Sequence, residues 1–363
     1  MFRSLITALS LSAFMVSAAG AADVGALETV AQFTDTRPGN VTVTSTGRII
    51  VSMQPLDGPE LRVVEVLADG GKQPFPNADW ADGPETGEVG FAAVIGVDTD
   101  RNDVVWILDM GAEDSPAQLV AWDSVRNALH TTIQIAPAAM VGNSFLQDFA
   151  IDEARRKIYI ADMTLGNFAG ETKPAIIVVD LNTGQSQRVL EGTSAFLPPD
   201  RDVLVEKSPL ASKSEDGKVT QLRFGLNPIA IDKNNEWVYF GTINGERIFR
   251  IPAAVLSEPT LTDADRAAAI EEYGPKMPSD GITFAPGGGI LTSDVENNAV
   301  GLTTGGKYTV LVQDAQLSWP DGFAVSKGWV YVTQNRLHLH PAFSQGEGNA
   351  TPPYRLMRFA YSP

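Results

Sequence analysis

Asp148, Asn227, Asp280 and Asp321 each stand at the start of a short apolar run: Gln-Asp-Phe-Ala-Ile-Asp (147–152), Asn-Pro-Ile-Ala-Ile-Asp (227–232), Ser-Asp-Gly-Ile-Thr-Phe (279–284) and Pro-Asp-Gly-Phe-Ala-Val (320–325). Weaker copies put Asn40 and Gly90 in the same phase. Three carboxylates and an amide gathered at one place would suit a hard cation such as Ca²⁺, which takes several oxygen ligands at flexible geometry. They would also hold a protonated amine through charge-assisted hydrogen bonds. A carboxylate so placed could equally serve as a general base. Each residue alone has a plainer explanation, because Asp-Gly and Asn-Pro are common turns and an Asp before a strand often bonds nearby backbone amides. Turn chemistry does not fix a shared phase, and the shared phase is the argument for a site. Catalysis is therefore expected of Asp280 and Asp321, and ligand contact of Asp148, Asn227, Asn335 and Trp319. A bound divalent cation would use Asp280, Asp321 and Asn227.

The runs that carry these residues must position them. Each is followed by a turn and a second β-rich run, as in Lys157–Ala161, Glu236–Gly241, Gly289–Ser293 and Trp329–Thr333. A strand–turn–strand unit recurring at such intervals marks a repeat architecture. Six units can be laid out, of three or four strands each, which describes an all-β, six-bladed β-propeller. The innermost strands would start around a central channel and bring the polar residues together. The last unit lacks an outer strand, and Leu27–Phe33 is strand-like and unpaired. That N-terminal segment is expected to close the ring inside the last blade, removing an open edge.

Three segments depart from the repeat. Residues 191–222 read as a long charged loop over one face. Residues 261–273 read as a short helix capped by Thr262. Residues 338–353 form a Pro/Gly-rich loop, in which His338 and His340 read as solvated. The polar residues at the ends of the second strands, Asp109, Asp162, Asn244, Asp294, Glu296, Asn297 and Asn335, read as loop caps, and Asn335 stands out among them. Trp106, Trp122, Trp237 and Trp329 read as core, whereas Trp319 would line the channel mouth.

Bulk composition narrows the function. The chain has 363 residues, no cysteine and a formal net charge of −17. Thiol catalysis and cysteine metal sites are excluded. Nucleic acid is an unfavourable partner for such an acidic chain. Arg3, the apolar stretch 5–18 and Ala19-Gly20-Ala21 read as a secretory signal over residues 1–22, leaving residues 23–363 as a single propeller domain. No later segment reaches about 18 consecutive apolar residues, so membrane insertion is not expected. A secreted or periplasmic protein that meets a small-molecule ligand follows.

The segments Gly225-Leu-Asn-Pro-Ile-Ala-Ile-Asp232, Lys276-x-x-Ser-Asp-Gly281, Glu296-Asn-Asn-Ala-Val300, Leu317-x-Trp-Pro-Asp-Gly-Phe323 and Gln334-Asn-Arg-Leu337 together resemble the major royal jelly protein and yellow family. Bacteria carry exported members related to L-dopachrome tautomerase. The resemblance implies a six-bladed propeller. It also implies an isomerase of the dopachrome type, or a binder of small amines without turnover. The Asp-Gly strand starts resemble gluconolactonase-like propellers too. There Asp321, Asp280 and Asn227 would match ligands of a central divalent ion, and the activity would be lactone hydrolysis. The early Glu of that pattern has no counterpart, since the first unit offers Asn40.

Overall fold

A computed structural model describes residues 23–83, 89–164, 171–348 and 351–363. The proposed signal segment, residues 1–22, lies outside them. Six antiparallel sheets form the blades of a propeller. Their innermost strands are Pro38–Val43, Val94–Thr99, Leu146–Asp152, Leu226–Ile231, Ile282–Phe284 and Pro320–Ser326. The last blade is closed as the sequence predicts: Glu28–Phe33 pairs antiparallel with the C-terminal strand Tyr354–Ser362, placing Phe33 opposite Tyr354. Asp23–Val24 pairs with the far end of the same strand.

Strand pairing alternates side chains between two faces, and both faces of each inner sheet are covered by neighbouring blades. The core is accordingly a set of layers between blades rather than one central mass. Trp106, Leu119 and Phe149 pack between the second and third blades, and Tyr159, Phe240 and Leu256 between the third and fourth. Phe33, Val51 and Tyr354 seal the last blade against the first. The channel along the axis is left to polar side chains.

Two expectations need correction. The helix is shorter than predicted, Asp263–Ala268, with the Thr262–Asp265 capping box present. The chain then turns into an outer strand, Glu271–Pro275, held against Arg247–Pro252 by Arg247–Glu272 and Arg250–Glu271 ion pairs. Likewise, 191–222 is not simply a loop. It contains the hairpins Leu204–Val205/Ser208–Pro209 and Ala211–Lys213/Val219–Gln221. Its apolar residues Val203, Val205, Leu210 and Leu222 pack with Phe224, Trp319, Leu337 and Phe343. These segments together cap the rim where the inner strands begin, called the upper rim below. Among the described residues no helix is long and apolar enough to cross a membrane.

Candidate functional site

The inner strands that carry Asn40, Asp148, Asn227 and Asp321 begin irregularly, while Asp280 lies two residues before the regular strand Ile282–Phe284. Register shifts interrupt pairing between Pro38 and Val41, Leu146 and Asp148, Leu226 and Ile229, and Pro320 and Phe323. A bulge re-aims a side chain that regular alternation would bury between blades. The bulges are fastened by hydroxyls on the second strands. Ser52 Oγ accepts from Asn40 N at 2.9 Å and donates to Ile95 O of the next blade at 2.6 Å. Ser293 Oγ accepts from Asp280 N and Gly281 N. Thr333 Oγ1 accepts from Gly322 N at 2.9 Å and donates to Gly39 O at 2.6 Å, joining the last blade to the first. Gly281 and Gly322 are required here, because a side chain on Gly281 would meet Asp321 O at 2.3 Å and one on Gly322 would meet Asn40 at 2.2 Å.

The result is one polar layer across the channel. Asn40, Asp148, Asn227, Asp280 and Asp321 all line a cavity of about 100 Å³. Asn40 Nδ2 donates to Asp148 Oδ1 at 3.2 Å, and Asn227 Nδ2 donates to Asp280 Oδ1 at 2.8 Å. Trp319 Nε1 donates to Asp280 Oδ2 at 2.7 Å. Asn335 Nδ2 donates to Asp321 Oδ2 at 2.8 Å. Asp280 and Asp321 lie side by side in this layer, and each shifts the ionisation of the other. Asp280 takes two N–H donors and Asp321 one, so Asp280 is the readier anion of the pair and Asp321 the readier acid. Burial pushes Asp321 well above the ordinary carboxylate range, and the Asp280 and Asp148 charges push it further. Burial also raises Asp280, opposed by the indole and amide donors. Asp148 is raised well above its usual value by burial, with Asp98 and Asp280 adding to the shift.

Of the predicted residues, the structure brings Asp148, Asn227, Asp280 and Asp321 to the cavity. Asn335 and Trp319 sit differently from the expectation. Asn335 is fully buried and holds Asp321 rather than facing a ligand, its Oδ1 being taken by Leu337 N. Trp319 is 1 % exposed; it is a roof over Asp280, not a channel mouth. Above it, His338 stacks on its indole with centroids 6.0 Å apart. His338 is itself buried, against the solvated loop predicted. The other second-strand ends are loop anchors: Asp109 accepts from Ala92 N and Ala93 N, Asp162 from Phe145 N, and Asn244 from Phe224 N.

A small second chamber of about 40 Å³ adjoins the first above Asp280, walled by residues that include Phe145, Met163, Phe224, Ile243 and Leu337. The cap closes it from above. At the lower end of the channel the lining residues Asp98, Ile231 and Thr283 are only half-buried, so solvent reaches the layer from that side. Sequence reasoning missed the three clasping hydroxyls, Asp98 and the chamber. Only Asp98 carried a signal, as a charged residue within an apolar strand.

A divalent cation needs oxygens converging on one centre. Here Asn40 and Asn227 turn their NH₂ groups to carboxylates, and Asp280 and Asp321 each have an oxygen taken by the N–H of Trp319 or Asn335. Among the described residues no group of three His, Cys, Asp or Glu forms a ligand set. The layer as arranged does not present a cation cage.

The sequence model of the family described as Major royal jelly protein matches residues 92–343. The chain belongs to the major royal jelly protein family. No curated protein sequence matches it. Solved structures similar to this family member include a gluconolactonase from Xanthomonas campestris, at 12% identity and TM-score 0.56, covering 96% of this chain and 99% of that one. The PQQ-bound aldose sugar dehydrogenase from Streptomyces coelicolor aligns at 12% identity and TM-score 0.54, covering 94% and 99%. A luciferin-regenerating enzyme aligns at 14% identity and TM-score 0.51, covering 93% and 95%. At such identities the likeness supports the fold alone.

Proposed function

We propose that the protein takes a small polar metabolite into the central channel and shifts a proton on it, with Asp280 as base and Asp321 as acid. The observation that carries this reading is the placing of two buried carboxyls, Asp280 and Asp321, in one cavity, each held only by neutral N–H donors. Two such carboxyls cannot both ionise cheaply, so one holds a proton near neutral pH while the other stays basic. A proton shift, such as an isomerisation or the enolisation of a carbonyl, needs both forms at once. Lactone hydrolysis would use the same pair to activate water and protonate the leaving oxygen.

Size limits the substrate. The two adjoining cavities, of about 100 and about 40 Å³, together approach the roughly 150 Å³ engineered cavity that accepts one benzene. A ligand with one five- or six-membered ring fits beneath the closed cap. A fused two-ring compound of the dopachrome type would need the cap lifted.

A second reading has its own support. Among the described residues, none that line the larger cavity is basic, while Asp98, Asp148, Asp280 and Asp321 all do. That favours capture of a small organic cation without turnover, the charge ionising the carboxyls on arrival. The first 22 residues read as an export signal in either case. N-terminal sequencing of protein secreted by a host should begin near Ala22.

Deuterium exchange separates the two readings. Cyclopentanone or δ-valerolactone incubated with the protein in D₂O should exchange hydrogens beside its carbonyl, followed by NMR. Asp280→Asn and Asp321→Asn should stop the exchange with the fold intact. If wild-type protein exchanges neither compound, yet small amines bind and Asp321→Asn weakens them, the binder reading stands and the proton-shift reading falls.

A further inference from the structure

The six second strands end at Met53, Asp109, Asp162, Thr242, Asp294 and Gln334. Of the residues that follow, Gln54, Met163 and Ile243 line the chamber above Asp280, whereas Met110, Val295 and Asn335 do not. Met163 and Ile243 are apolar, like most of the chamber wall. Asn335 is polar, and its amide is fully engaged with Asp321, Pro38 O and Leu337 N. Gln54 is polar with no such account. It is 3% exposed and lines the chamber together with Phe145, Phe224, Trp319 and Phe343. Its backbone is fixed, N–H bonded to Arg37 O at 2.8 Å. Its side-chain Oε1 is buried and has no hydrogen-bond partner.

A buried carbonyl oxygen without a donor is costly, and replacement by an apolar side chain of the same size would remove the cost. The chain keeps the amide at a strand-end position that four other blades fill with methionine, isoleucine or valine. The last torsion of a glutamine is soft, so the carboxamide can turn its oxygen to the chamber without moving the backbone.

We propose that Gln54 is a specificity-determining residue of the channel: its carboxamide oxygen accepts a hydrogen bond from a hydroxyl or N–H substituent at the end of the ligand's ring. The ligand then spans the two cavities. Its reactive, polar edge lies at Asp280 and Asp321, and its ring carries a donor into the aromatic chamber. Donor-free rings leave the oxygen unpaired and bind more weakly. This inference rests on the channel being a single-ring site, as in the preceding reading.

Phenol and benzene are the probes, since they differ only by the donor. Wild-type protein should prefer phenol over benzene by about tenfold in calorimetry or ligand-observed NMR. Gln54→Leu should lose that preference and melt a few degrees higher, because an orphaned polar atom has gone. Gln54→Met is a second, unbranched replacement with the same expectation. A structural role predicts the opposite: a lower melting temperature with phenol preference unchanged. Either that result, or wild-type protein that does not distinguish phenol from benzene, overturns the proposal. The cyclopentanone exchange assay tests the carboxyl pair separately. Its failure with phenol selectivity intact removes the proton shift and keeps Gln54.

Discussion

Thr333→Val tests whether the hydroxyl clasps build the site. Valine keeps the shape and the β-branching that suit a strand. It removes one hydroxyl that accepts from Gly322 N at 2.9 Å and donates to Gly39 O at 2.6 Å, in a residue with no exposed surface. Two buried backbone groups lose their side-chain partner. Each unsatisfied group costs about 1–3 kcal/mol, so the expected loss for the two is about 2–6 kcal/mol. The bond also crosses from the last blade to the first, at the point where the ring closes. Urea denaturation should therefore show a lower midpoint with an unchanged slope. Thr333→Ser keeps the hydroxyl and loses one methyl, so it should recover most of the deficit, to within about 1 kcal/mol. A loss below about 0.5 kcal/mol for the valine variant would show that the bulge at Asp321-Gly322 is set by something other than this clasp.

Asp98 gives a pH test. Burial, with Asp100 and Glu153 adding, raises it from 3.8 to about 7. The folded protein therefore binds more protons than the unfolded chain between those values, and stability falls as pH rises through that window. Asp98→Asn should match wild type below the window and exceed it above, by at most about 4 kcal/mol at the full shift and by about 1–2 kcal/mol given the side chain's solvent contact; a wild type that is the more stable at about pH 8 contradicts this. Trp319→Phe keeps the ring but removes the indole N–H from Asp280, so the acidic limb of any pH–rate profile should move up by roughly one unit. A profile that stays put would mean that the indole does not tune the base. Calcium is decided by chelation: with a carboxyl pair sharing a proton, EDTA leaves the melting temperature unmoved, whereas a drop would assign Asp280, Asp321 and Asn227 to an ion.

The parts legible in the sequence were those with a repeating signal. The ring of six blades followed from strand–turn–strand phase, and the closing strand from one unpaired apolar run. Short outer strands were not legible. Lys72–Pro74 is three residues long and follows Gly70-Gly71, and Glu271–Pro275 continues an alanine-rich helix without a break in composition. Pairing with Arg247 and Arg250 decides that segment, and pairing is invisible to local propensity. Within the site, the four phased residues reached the channel as expected. The clasping Ser52, Ser293 and Thr333 were hidden because a lone hydroxyl in an apolar strand looks like ordinary strand composition. Trp319 and His338 were misplaced because what covers the upper rim is the long-range packing of 203–224 against 337–343.

The choice of holders for the carboxyl pair says what the site is kept from becoming. This chain does bury basic side chains. Arg37 pairs with Asp57 at 2.5 Å, Arg266 donates to Leu261 O and Glu258 O, and Lys276 donates to Thr242 O, Gly245 O and Met277 O. Each is less than 3% exposed. None of them lines the channel cavity, where Asp280 and Asp321 are held instead by the neutral N–H groups of Asn227, Trp319 and Asn335. An arginine in their place would lower a carboxyl's pKa by about 1–3 units and fix it as an inert ion pair. Neutral donors orient the oxygens and leave the charge uncancelled. A carboxyl pair oriented but not neutralised can exchange a proton or accept a cationic group, and the half-buried lining of the channel's lower end leaves it open to solvent on that side.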